Sequence, residues 1–101
     1  LAPLQVKVLP ISDRFSDYAN SILQSLKNAD IRAEVDDRNE KIGKKIRDTE
    51  MMKVPYMLIV GEKEMNDNMV SVRRQGKGDL GAQSIESFIN EAIIEIKERR
   101  S

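Results

Sequence analysis

The run Tyr56-Met57-Leu58-Ile59-Val60 restricts the fold of this chain more than any other feature. It follows Val54-Pro55, which ends a preceding helix because the residue before a proline is disfavoured in the α conformation, and it stops at Gly61. Consecutive apolar residues leave a strand without a solvent face, since successive side chains point to opposite sides. The run therefore predicts a central strand with a layer of structure packed against each side.

The segments around this strand alternate between strand and helix patterns. The predicted order is a strand over 5–11, a helix over 13–28, a strand over 31–35, a shorter polar helix over 41–53, the central strand, a strand over 69–73 and a helix from 84 onward. We expect an acidic turn over 62–68 and a mobile loop over 75–81. This β-α-β-α-β-β-α order indicates one α/β domain over 1–101, with a mostly parallel sheet, helices on both faces and one antiparallel strand.

The composition disfavours several kinds of function. The chain has no Cys and no His, so it lacks thiolate metal ligands and the commonest general base. Its apolar stretches are too short to span a bilayer, and we expect no signal peptide from Leu1-Ala2-Pro3, which does not begin a basic region followed by an apolar one. A start without Met is typical of a fragment or a processed product. We expect no catalysis by this chain alone and no membrane partner.

Basic residues are clustered although the formal net charge is zero. Between Arg38 and Lys53 there are six basic residues against three acidic ones, and between Ser71 and Leu80 there are three against one. Two local patches on a neutral protein indicate a localised site for a polyanion.

The first candidate site follows the second predicted strand, because ligands of open α/β sheets bind beyond the carboxyl ends of parallel strands. Asn39 and Arg47 suit hydrogen bonding to base edges, and Lys41 suits a phosphate. Lys44 and Lys45 are candidates for supporting phosphate contacts. Composition alone favours the plainer alternative, which is a solvated turn and an ordinary charged helix face.

The second candidate site is the basic strand and loop that contain Arg73, Arg74 and Lys77. Two successive arginines on a strand point to opposite faces, so at most one of them can contact a given ligand. Arg74 and Lys77 are further candidates for phosphate contacts. An edge strand that its charges protect from aggregation explains the pattern equally well.

Other motifs carry less weight. Gly76 to Gly81 matches G-x-G-x-x-G but follows a hairpin strand instead of opening a βαβ unit. Asp36-Asp37 lacks the further ligands of a calcium loop, which favours a solvated turn. We expect Met51, Met52 and Met57 to lie in the core.

Four blocks of this sequence together resemble the C-terminal domain of bacterial-type threonyl-tRNA synthetases, which are class II aminoacyl-tRNA synthetases. The blocks are Val35 to Arg47, Val54 to Glu64, Val70 to Arg74 and Gly78 to Gly81, and the opening Leu1 to Val6 is similar as well. The resemblance implies the anticodon-binding fold, a three-layer α/β/α arrangement with a mixed, mostly parallel five-stranded-type sheet.

The resemblance also implies a function and a set of site residues. The domain would read the second and third anticodon bases of threonine tRNA, G and U, and position that tRNA for a catalytic domain that this chain lacks. The positions that match the family's anticodon contacts are Asn39, Lys41, Arg47, Glu64 and Arg73.

Several further expectations follow from the resemblance. The domain itself would hold no cofactor and no metal, whereas the full-length threonine–tRNA ligase would use ATP, Mg and Zn. Its partners would be the anticodon loop of threonine tRNA and the synthetase's own catalytic domain, in a cytoplasmic enzyme. We expect a monomeric isolated domain and a homodimeric full-length protein.

Two other functional classes remain open from the residues alone. One is a protein-interaction module that uses this fold without binding RNA. The other is a small α/β enzyme or nucleotide binder that uses Asp36-Asp37 or the glycine loop.

Overall fold

The computed structural model describes residues 4–100, and the side chains of residues 4–95. The opening Leu1-Ala2-Pro3, which belongs to the sequence resemblance, lies outside the described residues. The elements are β1 (Val6–Pro10), a 3-10 turn (Asp13–Phe15), α1 (Ser16–Asn28), β2 (Ala33–Val35), α2 (Ile42–Met51), β3 (Tyr56–Val60), α3 (Glu62–Asp67), β4 (Met69–Arg74), β5 (Gly78–Ser84) and α4 (Ile85–Arg100).

The strands form one five-stranded sheet in the order β2-β1-β3-β4-β5. The β2–β1 and β1–β3 pairs are parallel, and the β3–β4 and β4–β5 pairs are antiparallel. Four of the five strands consequently run in one direction, and β4 alone is reversed. The predicted α/β class is confirmed, and β3 is the central strand that its apolar run predicts.

The main core lies between one face of the sheet and the helices α1 and α4. The apolar stripe of α1 and the buried residues of α4 pack there against alternate residues of β1, β3 and β4. Tyr56 and Phe88 meet edge to face, with ring centroids 5.1 Å apart and planes at 82°. This is the arrangement that the ring quadrupoles favour.

The opposite face is covered by α2 over the parallel half of the sheet. Leu9 and Met57 are buried, and Lys45 and Thr49 form the buried face of α2. Met51 and Met52, which we expected in the core, are 76% and 57% exposed. That expectation was wrong for both because Lys45 and Thr49 occupy the inner positions of α2, whereas Met57 is buried in β3 as expected.

Two segments expected to be irregular are regular. Residues 62–67 form α3, because Glu64 accepts a hydrogen bond from the Gly61 N–H at 2.8 Å and so satisfies a free donor where the helix begins. The expected mobile loop is a short turn followed by the edge strand β5. Gly76 and Gly78, with φ of 82° and 80°, make that turn possible because a side chain would strain it.

No helix within the described part of the chain is long and apolar enough to cross a bilayer.

Candidate nucleic-acid interface

The loop between β2 and α2 is held by a buried carboxylate. Asp36 is only 5% exposed, and the guanidinium of Arg38 binds both of its oxygens, with Nε to Oδ1 at 2.9 Å and Nη2 to Oδ2 at 2.8 Å. The remaining end of the guanidinium reaches α2, where Nη1 donates to Asp48 Oδ2 at 3.0 Å. Hydrogen bonds from Arg38 hold the pKa of Asp36 below its ordinary value. The turn is therefore cross-linked at Asp36 instead of being solvated there.

Lys45 is part of the same network, which we call the loop clamp (Asp36, Arg38, Lys45 and Asp48). Its side chain is buried, and Nζ donates to the carbonyl oxygens of Pro10 and Asp36, both at 3.1 Å. These bonds join the carboxyl ends of β1 and β2 to α2. The candidate role of Lys45 as a phosphate contact is therefore withdrawn, because its ammonium faces the protein interior.

The loop clamp presents two of the predicted site residues to solvent. Asn39 and Lys41 are both exposed, and Lys41 directly precedes the first turn of α2. Lys44 is exposed as well and pairs with Glu40 at 3.6 Å, so its charge is partly compensated. Asn39 and Lys41 thus lie at the sheet edge that the sequence predicts for a ligand.

Arg47 and Arg73 both lie near Glu50, a residue that sequence reasoning missed. Arg47 is exposed on α2, one turn before Glu50, so these two side chains are neighbours on the helix surface. Glu50 in turn faces β4, where its Oε1 lies 3.6 Å from Nη2 of Arg73. Because α2 covers only the parallel half of the sheet, Arg73 lies beside the helix with 31% of its side chain exposed. Its Nε is buried and has no hydrogen-bond partner.

Glu64 lies on the same side of the sheet as Arg73, near the other end of β4. Its Oε1 accepts from the Gly61 N–H, and its Oε2 accepts from the Ser71 hydroxyl at 3.1 Å. Ser71 and Arg73 are two residues apart on β4, so their side chains share one face, about 7 Å apart along the strand.

A cleft of about 370 Å³ opens at this position, which we call the β4 cleft. Its lining consists of Lys63, Glu64, Asp67, Met69, Ser71, Asp79, Gly81 and Ala82. Three carboxylates against one ammonium make the cleft acidic, so it disfavours a phosphate and favours a neutral group that offers N–H donors.

Arg74 lies on the opposite face of the sheet from Arg73. It forms an ion pair with Glu95, donates through Nη1 to the Tyr56 hydroxyl at 2.7 Å and stacks over that ring at 5.1 Å. We therefore withdraw Arg74 as a phosphate contact, since it is committed to packing against α4. Lys77 is exposed in the turn between β4 and β5.

The structure thus groups the five predicted anticodon contacts into two sets. Of the four predicted phosphate contacts it removes Lys45 and Arg74, whereas Lys44 and Lys77 are exposed. Asn39 and Lys41 lie where α2 begins, and Arg47, Glu64 and Arg73 lie along the flank of α2 and the open face of β4. The glycine motif lies in the edge strand β5 and its turn, which is not the strand-to-helix geometry that a nucleotide phosphate requires. Among the described residues, no group of three or more carboxylates could hold a metal ion.

Comparison with known proteins gives consistent results. The family model described as the anticodon binding domain matches residues 5–96. The chain is 55% identical over 101 residues to threonine–tRNA ligase of Clostridioides difficile, a match that covers 100% of this chain and 16% of that protein. It is 59% identical over 88 residues to threonine–tRNA ligase of Parabacteroides distasonis, covering 87% of this chain and 14% of that one. The chain thus spans about one sixth of the length of these relatives.

Solved structures share the fold. The RNA binding domain of threonyl-tRNA synthetase from Cryptosporidium parvum matches with a TM-score of 0.84 and 28% identity, over 89% of this chain and 23% of that one. Prolyl-tRNA synthetase of the same organism matches with a TM-score of 0.85 over 96% of this chain and 21% of that one, but its 24% identity indicates a common fold alone.

Proposed function

The chain belongs to the anticodon-binding domain family and corresponds to that region of bacterial threonine–tRNA ligases, and from this we propose that it reads the anticodon of threonine tRNA. The bases read are the second and third, G and U. Anticodon bases are unpaired, so they can be splayed out to offer their edges to a protein surface.

One observation supports this proposal above the others. Arg73 keeps its Nε without a partner and its Nη2 in a long pair with Glu50, on a sheet face that α2 leaves open. The 3.6 Å pair with Glu50 is longer than a good hydrogen bond, so the exposed part of the guanidinium can turn its Nη groups to a ligand. A bidentate arginine is the usual reader of guanine O6 and N7.

The remaining site residues take complementary roles in this proposal. Glu64 accepts hydrogen bonds from base amino or imino groups in the acidic β4 cleft. Asn39 both donates and accepts at a base edge, and Arg47 reads a base edge or binds a phosphate beside Glu50. Lys41 neutralises a phosphate, with Lys44 and Lys77 as weaker contributors.

In the full-length protein, this domain would position the tRNA for aminoacylation elsewhere in the chain. The ATP, Mg and Zn sites of that reaction would lie outside this domain, in a homodimeric cytoplasmic enzyme. The domain itself would need no cofactor to bind RNA.

Binding to anticodon stem-loops tests the proposal directly. The 101-residue chain would be titrated with the threonine stem-loop and with variants that change the second or the third anticodon base, at one salt concentration. We expect each change to weaken binding by about 1–3 kcal/mol, the usual cost of one mismatched contact. Equal affinity for all stem-loops would contradict base reading, and the absence of any salt-dependent binding would favour the protein-interaction alternative.

A further inference from the structure

We propose that Ser71 is a positioning residue for Glu64, and that its hydroxyl sets how strongly the β4 cleft prefers a base with two adjacent N–H donors. This inference rests on the proposed function, because it concerns how the same site discriminates between bases. Ser71 is not among the residues that the family resemblance marks as anticodon contacts.

The contacts of Glu64 are the starting point. Each carboxylate oxygen accepts one hydrogen bond from the protein, Oε1 from the Gly61 N–H at 2.8 Å and Oε2 from the Ser71 hydroxyl at 3.1 Å. A carboxylate has about four lone-pair sites, so each oxygen keeps capacity for one more donor. The two anchors hold the plane of the carboxylate while leaving both oxygens able to accept from a ligand.

The two anchors differ in what they control. The Gly61 N–H is a backbone donor at the N-cap of α3, so its bond to Oε1 depends on no other side chain. Ser71 belongs to β4, where it pairs with Ile59 and with Ala82 in register. Its hydroxyl is therefore the side-chain contact that ties Glu64 to the open sheet face, and losing it would let Oε2 swing about the remaining bond.

The place of Ser71 in β4 also indicates a role beyond packing. It lies between Val70 and Val72, whose side chains are buried on the α1 side of the sheet. Strands favour β-branched residues, so valine would suit the backbone at this position better than serine. A residue that is poorer for the local structure is expected where a functional requirement outweighs stability.

The chemistry of the cleft identifies the kind of base edge. The carboxylates of Glu64, Asp67 and Asp79 disfavour phosphate and accept from N–H groups. Two oxygens held side by side match two adjacent donors, which the N1–H and N2 amino group of guanine provide. Inosine is guanosine without the N2 amino group, so a comparison of the two nucleosides isolates this contact.

The experiment compares Ser71→Val and Ser71→Thr, with Glu64→Gln as the reference. Valine and threonine have nearly the same shape and the same strand preference, but only threonine keeps the hydroxyl. Affinity would be measured for threonine anticodon stem-loops that carry guanosine or inosine at the second anticodon position, together with the Tm of each variant.

We expect the parent to prefer guanosine over inosine by about tenfold, the worth of one hydrogen bond to a charged group. Ser71→Val should lower this ratio about threefold to tenfold without lowering Tm, and Ser71→Thr should restore it. Glu64→Gln should lose the preference.

The remaining outcomes separate the two proposals. An unchanged ratio in Ser71→Val, with the preference lost in Glu64→Gln, would overturn the role of Ser71 and leave the proposed function intact. The same holds if Ser71→Thr fails to restore a ratio that Ser71→Val has lowered, since shape and not the hydroxyl would then be responsible. A parent without any preference for guanosine over inosine would overturn the contact between Glu64 and the N2 amino group, and with it the role of Ser71. It would leave the proposed function intact, because inosine keeps the O6 and N7 that Arg73 reads.

Discussion

The loop clamp and the β4 face lie on either side of α2, and they differ in how many hydrogen bonds their arginines make. In the clamp, Nε, Nη1 and Nη2 of Arg38 all donate to carboxylates at 2.8–3.0 Å. On the β4 face, Arg73 forms a 3.6 Å pair with Glu50, and its Nε has no partner among the side chains that the structure describes. Three hydrogen bonds thus tie the guanidinium of Arg38 to the fold, whereas a single long ion pair holds that of Arg73.

This difference shows that a basic cluster in the sequence can combine two unrelated roles. A buried polar group that is fully paired stabilises the fold and offers nothing to a ligand. A polar group that is only partly paired raises the free energy of the unbound protein, and a ligand that completes its hydrogen bonds lowers that free energy. Pairing, and neither charge nor exposure, therefore separates the two arginines, since the side chain of Arg38 is 46% exposed and that of Arg73 is 31% exposed.

The largest expected effect is on the structural side of this comparison. Asp36→Ala should lower the free energy of unfolding by about 1.5–3 kcal/mol, because charge-assisted hydrogen bonds to a buried carboxylate are lost and Lys45 loses a nearby opposite charge. Urea denaturation measures the change. The exposed neighbour supplies the control, since Asp37→Ala should change stability by less than about 0.5 kcal/mol. Equal effects of the two variants would contradict the clamp.

The next effect is on the binding side. Arg73→Ala should weaken binding of the threonine stem-loop by about 1–3 kcal/mol and relax the preference at one anticodon base. Arg74→Ala is the matched control, because it should lower Tm through the loss of its contacts with Tyr56 and Glu95 while base preference stays unchanged. Fluorescence titration with the stem-loops, at a temperature below the Tm of both variants, separates an effect on binding from an effect on stability. If Arg74→Ala altered base preference and Arg73→Ala did not, the assignment of faces would be wrong.

A smaller effect is expected from pH. The folded state holds the pKa of Asp36 below its ordinary value of 3.8, so its stabilising contribution is fully present above that value and is lost as pH falls through the folded pKa. Acid titration of stability should therefore show a loss below about pH 4. Asp36→Asn should remove that part of the pH dependence. An identical acid profile for this variant and the parent would contradict a stabilising role of the Asp36 carboxylate.

The smallest effect is expected at the exposed end of the site. Lys41→Ala should weaken binding to every stem-loop alike and lower the salt slope by about 0.7, the value for one contact to a single strand. Binding at several salt concentrations measures the slope. Lys27→Ala, at the exposed end of α1 away from α2, should leave the slope unchanged. A change in base preference in Lys41→Ala would mean that Lys41 reads a base and not a phosphate.

The sequence predicts much of the fold because burial leaves a regular pattern. The unbroken apolar run of β3 predicts a strand buried on both faces, the stripe of α1 predicts a helix buried on one face, and both are found in the structure. By contrast, α3 depends on the bond between Glu64 and Gly61, and β5 depends on a glycine turn that pairs with β4. Such contacts involve few residues and carry no period, so they could not be predicted.

The candidate site can be predicted only in part from the sequence, because tertiary packing decides which side chains face a ligand. Strand alternation places Arg73 and Arg74 on opposite faces, but it does not say which face is open. Lys45 belongs to a basic run in the sequence, and only the packing of α2 on β1 shows that its ammonium points inward. Serine and glutamate seven residues apart, as in Ser71 and Glu64, match no known motif and meet only because β4 returns beside α3.

The reversed direction of β4 also has a consequence for the order of folding. The β3–β4–β5 meander joins residues close in sequence, whereas the β1–β3 pair joins Val6 to Tyr56 across two intervening helices. Closing short loops is faster and costs less chain entropy than closing long ones. We therefore expect the strand that carries Ser71 and Arg73 to pair early, and the clamp around Asp36 to close late, when β1, β2 and α2 have assembled.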